Sequence, residues 1–139
     1  MSDEQNAYHE LCGYTLTCGG AAFIHQHVVD AFAAQGADAQ TKPIGLAFAL
    51  VGLYLLVEQD WTGKQVQGAH MKLARRKHPW QAFPLPADRG SMTAVDVMRA
   101  TEGPDRDRAI HAWCESVWAA YAPTSRETAA SLLRQHAIS

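Results

Sequence analysis

The chain has 139 residues, 47% of them apolar and 19% charged, with 12 Lys and Arg against 14 Asp and Glu for a net charge of -2. That is one domain's length with enough apolar side chain for a core, which excludes a disordered segment and a two-domain enzyme. The near balance of charge gives no global reason to bind nucleic acid or an anionic membrane.

Apolar residues recur with the helical period and no sustained alternation appears, which predicts an all-α fold, a single-domain bundle of five to seven helices over residues 1–139. The first helix is expected from Gln5 to Thr17, ending before Gly19-Gly20. The second runs from Ala21 to Gln35, with Gly36 as its stop. The third starts at Pro43, suited to a first helical position, and ends near Gln59. Its apolar run Pro43–Val57 is 15 residues long, short of the roughly 20 that span a bilayer, and reads as a buried helix. Thr62 and Gln65 form a capping box for the fourth helix, which extends to about Lys77 before Pro79. A short fifth helix is signalled by Thr93 and Asp96 and reaches Ala100. The sixth runs from Asp105 to Tyr121, where Pro123 closes it. A last short helix, capped by Thr124 and Glu127, continues through Gln135.

Between the fourth and fifth helices lies a proline-rich strap over residues 78–91. Packing of Trp80, Phe83 and Leu85 over an open side of the core is favoured; a lid over a pocket is the alternative. On the third helix, Gly45, Ala49 and Gly52 make a small-residue stripe. Glycine inside a helix costs about 1 kcal/mol relative to alanine, so something must approach closely: a neighbouring helix, a second subunit or a ligand.

Projection at the helical period places His25 inward on the second helix, with His27 on its flank beside Asp30. On the first helix Tyr8, Cys12 and Leu16 form the apolar stripe, with His9 beside it. His70 faces inward on the fourth. On the sixth, Ile110, Trp113, Cys114, Val117 and Tyr121 make the core face, with His111 at its edge. Four of the seven histidines thus lie on or beside inward stripes, and His9 and His111 each have a cysteine one turn on, Cys12 and Cys114. Imidazole and thiolate are ligands that zinc prefers, and bundles build such sites from facing helices. His9, Cys12, His25, His70, His111 and Cys114 are therefore candidate ligands for Zn²⁺ or a similar metal, with Asp30, Glu58 or Glu115 as outer carboxylates. The competing reading makes each histidine a core or boundary residue bonded to a carbonyl or hydroxyl, and each cysteine a small buried hydrophobe. That reading is favoured, because compact Cys-x-x-Cys or His-Glu-x-x-His spacing is missing.

Three cysteines, an odd number, with no basic and apolar leader in this sequence, point to reduced thiols and a cytoplasmic chain rather than a secreted disulfide framework. Cys18 precedes the second helix, where a thiol could be activated with His25 or His27 as base; an inert turn thiol is favoured. Lys64, Lys72, Arg75, Arg76 and Lys77 form a basic stretch, read as a solvated face or a surface pairing with Asp105 and Asp107.

The pattern of Tyr8-His-Glu-Leu-Cys12, of His25 followed by Val29-Asp-Ala-Phe-Ala-Ala-Gln35, of Leu53-Tyr54 with Glu58, of Pro84-Leu-Pro86, of Met92-Thr-Ala-Val-Asp-Val97 and of Trp113 with Val117-Trp118 resembles a bacterial family of uncharacterised proteins of unknown function. The resemblance covers about Tyr8 to Tyr121. It implies a small soluble helical protein and transfers no catalytic residues. The leading functional expectation is a binding or association module, with a homodimer through the third or sixth helix as one form. The alternative is a metal-binding enzyme or sensor.

Overall fold

The computed structural model describes residues 2–18, 22–75, 80 and 82–138. It contains α1 (Asp3–Cys18), α2 (Ile24–Gln35), α3 (Pro43–Gln59), α4 (Gly63–Ala74), α5 (Ala94–Met98) and α6 (Pro104–Gln135), with no strand among the described residues. None of these helices is long and apolar enough to cross a membrane.

The centre is a three-helix unit in which α2, α3 and α6 each pack on the other two. α4 lies across α2 and α3, while α1 and α5 pack together, α1 against α2 and α5 against α6. α3 is buried around most of its circumference, from Leu46 through Leu56. Its small-residue stripe has one clear occupant: a Cβ at Gly52 would fall 1.9 Å from Oδ2 of Asp30 on α2, so glycine is what lets that carboxyl in. At Gly45, among the described residues, no atom beyond its chain neighbours and its own helix backbone stands within 4 Å of the same position.

Local chemistry explains most boundaries. Pro43 sits in the first turn of α3, and Asp60 ends the helix with φ 57°, a left-handed conformation that a short polar side chain tolerates. Thr62 and Gln65 form the expected capping box, with hydrogen bonds of 2.8 and 3.2 Å. The Asp96 carboxylate accepts from both the N–H and the hydroxyl of Thr93. α1 starts earlier than expected because Ser2 and Gln5 cap each other reciprocally. α4 ends at Ala74, and the expected extension over 76–77 lies outside the described residues.

The predicted break at Pro123 does not occur. α6 is one helix of 32 residues with Pro123 inside it. Proline removes one rung of the hydrogen-bond ladder, but both sides of it are tied to the rest of the bundle. Glu58 of α3 accepts from Trp118 Nε1 at 2.6 Å and from Arg126 Nε at 2.7 and 3.0 Å, gripping α6 before and after the proline. Tyr121 donates its hydroxyl to Ala34 O at 2.6 Å. Thr124, expected to cap a separate helix, instead donates to Tyr121 O.

Among the described strap residues the packing is partial. Phe83 is buried and Trp80 stands edge-on to Phe48, whereas Leu85 is turned out to solvent. Polar lacing holds it: Arg89 donates to the carbonyls of Pro86, Gln35 and Ala37, covering the C-terminal end of α2. Gln35 returns hydrogen bonds to Arg89 O and Met92 O and accepts from Trp113 Nε1 at 2.9 Å.

Candidate functional site

A cleft of about 320 Å³ opens where the start of α2, the α3–α4 turn and the first turns of α6 meet. Ala22, Ile24 and His27 form one wall, Leu56, Asp60, Trp61 and Thr62 a second, and Asp107, Ile110 and His111 the third. None of the described strap residues lines it. Two of the walls are joined through backbone: Gly63 N–H donates to Ala22 O at 2.7 Å. A Cβ at Gly63 would sit 1.9 Å from Phe23 O, so this approach requires glycine.

His27 is the most buried polar group of the cleft. Only 7% of it is exposed, and its Nδ1 has no hydrogen-bond partner among the described residues. Burial, with a smaller contribution from the nearby His111 charge, pushes its pKa down to about 4, so the ring is neutral at physiological pH. One helical turn on, Asp30 is buried with Oδ2 unpartnered among the described residues, while its Oδ1 accepts from Gln26 at 3.1 Å. Burial raises its carboxyl well above the usual range, against the opposing effect of that hydrogen bond. Cys114 donates its S–H to His27 O at 3.6 Å. Burial, and less so the charges of Asp30 and Glu115, drive its thiol pKa far up, which makes it a wall group rather than a nucleophile.

The sequence placed His27 on the flank of its helix, and the structure corrects this. α2 packs against α1, α3, α4 and α6, so it has no wholly solvated flank and even its Asp30 turn is inside. His25, expected inward, is half-buried with Nδ1 3.1 Å from Thr15 Oγ1. On α1 the buried line is Ala7, Leu11 and Thr15; Leu16 is 63% exposed and His9 is exposed beside Tyr8. α1 meets both α2 and α5, and the face between them is not the one its apolar spacing marks.

The other candidate metal ligands are dispersed. Cys12 is half-buried beside Tyr8, whose hydroxyl burial and that contact push up to about 12. His70 is half-buried, stacked on Phe48, with Nε2 2.8 Å from Phe48 O; a carbonyl only accepts, so that nitrogen carries the proton. His111 is exposed and meets Glu115 at 2.8 Å. Among the described residues no three His, Cys, Asp or Glu side chains are grouped so as to hold a metal ion. The side chain of Cys18 lies outside the described residues. Lys64, Lys72 and Arg75 are exposed, but Asp105 pairs with Arg108, and Asp107 accepts from Tyr14 Oη. Among the described residues none of Lys64, Lys72 and Arg75 pairs with these two acids, and all three lie on a solvated face. Arg76 and Lys77 fall outside the described residues.

Sequence reasoning missed Asp60, Trp61 and Thr62 as site residues. The available signal was the helix stop at Gln59 followed by a capping threonine, a turn that leaves a Trp with no helical face to join.

The sequence profile described as a Family of unknown function (DUF5946) matches residues 5–122, and the chain belongs to that family. No curated protein and no solved structure matches it.

Proposed function

We propose that this chain is a binding module that holds one small organic molecule in the cleft beside His27. The observation that carries the reading is a concavity of about 320 Å³ floored by Ile24, Leu56 and Ile110, with the polar side chains of His27, Asp60 and Asp107 among its lining. Ligand sites of this kind combine a mostly apolar lining with a few placed polar groups, and begin at roughly 300 Å³.

The test is an NMR titration of the indole N–H signals with small ring compounds, phenyl, indole and pyridine, each carrying one polar group. It is run on the native chain and on Ala22→Trp. Ala22 is exposed at the mouth, so the larger side chain fills the cleft without entering the core. At least one compound is expected to move the Trp61 signal of the native chain and to lose that effect in Ala22→Trp, with helical circular dichroism unchanged. No movement of Trp61 by any compound, or equal movement in both proteins, overturns the reading.

A further inference from the structure

We propose that the chain associates with a second copy of itself, the exposed face of α1 in one copy lying against the exposed face of α4 in the other. The residues that carry this contact do not line the cleft, so the two readings stand or fall separately.

Charge is segregated along the sequence. Residues 1–41 hold five Asp or Glu and no Lys or Arg, while residues 61–87 hold five Lys or Arg and no acid. The fold carries that separation onto two surfaces. Asp3 and Glu10 stand two turns apart on one line of α1 and are exposed, as is Glu4. On α4, which contains no acid, Lys64 and Lys72 are exposed, with Arg75 exposed at its end. Ion pairs among the described residues draw their cations from Arg99 and from side chains of α6. The α1 acids and the α4 bases take no part in them. Each face therefore presents charge that the described chain leaves unanswered, and the complement of each is the other face on a second copy.

The two faces also share a pattern. Along the exposed side of α1 come Glu10, Gly13 and Leu16; along that of α4 come Lys64, Gly68 and Met71. Leu16 and Met71, 63% and 55% exposed, are the most exposed large apolar side chains among the described residues. A Cβ at Gly13 or at Gly68 would meet no described atom within 4 Å beyond its chain neighbours and its own helix backbone. Nothing within the described chain therefore requires glycine at either place. Glycine weakens a helix interior relative to alanine but admits a neighbouring backbone. A crossing of α1 over α4 at these glycines uses both and covers Leu16 and Met71. Like faces do not fit, since α4 on α4 sets cations against cations and α1 on α1 sets acids against acids.

The experiment is sedimentation equilibrium of the native full chain across a concentration series at neutral pH, in low and in high salt. Exposed ion pairs are individually weak, so the expected Kd is on the order of 100 µM at low salt. High salt screens the charges and should weaken association by about tenfold or more. Two charge-reversed proteins follow, Asp3→Lys with Glu10→Lys on α1 and Lys64→Glu with Lys72→Glu on α4, each checked for native helical circular dichroism. Each alone is expected to be monomeric, because both of its faces then carry one sign. Their equimolar mixture is expected to associate again, since each copy finds its opposite. A control on α6, Arg108→Glu with Arg134→Glu, changes net charge as much as the α4 variant and should stay within about threefold of the native affinity. A native chain that remains monomeric throughout, association indifferent to salt, a mixture that stays monomeric, or a control as weak as the α4 variant each overturns the proposal.

Discussion

Asp30 and His27 lie one turn apart on α2, and burial moves their titrations in opposite directions. The carboxyl of Asp30 is raised above 3.8, its ordinary value, so the folded chain prefers the protonated acid. Its favourable contribution is complete at pH below the unfolded carboxyl's titration and is lost as pH rises toward the folded value. Asp30→Asn keeps the shape beside Gly52 and removes the titration. It should therefore match the native chain at pH below the unfolded carboxyl's titration and be the more stable of the two at pH 7. His27 has the reverse slope: its folded value near 4 lies below 6.5. Its contribution is complete above pH 6.5 and declines as pH falls toward 4, by on the order of 3 kcal/mol. Chemical denaturation across pH on both proteins measures this. A stability difference between them that does not grow with pH contradicts the protonated Asp30.

Among the elements, α6 carries a proline that its neighbours override. Pro123 is exposed, so its replacement disturbs no core packing, while an alanine restores a backbone donor and relieves the ring's clash with the preceding turn. Pro123→Ala should raise stability by about 1–2 kcal/mol, the interior penalty reduced by the greater freedom of the unfolded chain. A thermal melt reads the change, and a lower midpoint would show that α6 needs its bend. Helix bounds were legible where the signal was local. Pro43 to Gln59 was placed without error, and the Thr62–Gln65 box was read correctly, because capping and proline placement depend on a few adjacent residues. Tyr121-Ala-Pro-Thr carried an equally local stop signal and was overruled, since Glu58 and Ala34 hold that stretch through bonds that span 60 and 87 residues of chain.

In the whole molecule, the cleft depends on α4 starting against the loop before α2. Gly63→Ala drives a Cβ into two backbone carbonyls that have no rotamer to escape through. The variant should lose about 2 kcal/mol or more, seen as a lower denaturant midpoint. A midpoint equal to the native chain's would mean that the loop and α4 are not clamped. The sequence by itself determined the all-α class, the burial of α3, most helix ends and the likeness to a family of unknown function, because periodicity, capping and composition act over one or two turns. The tertiary structure alone decided that His27 rather than His25 is the deeply buried imidazole, that Asp30 enters the space left by Gly52, and that the candidate metal ligands are dispersed. Each depends on how many neighbours surround a helix. An amphipathic projection assumes one buried face, and that assumption fails for α2, which four other helices enclose.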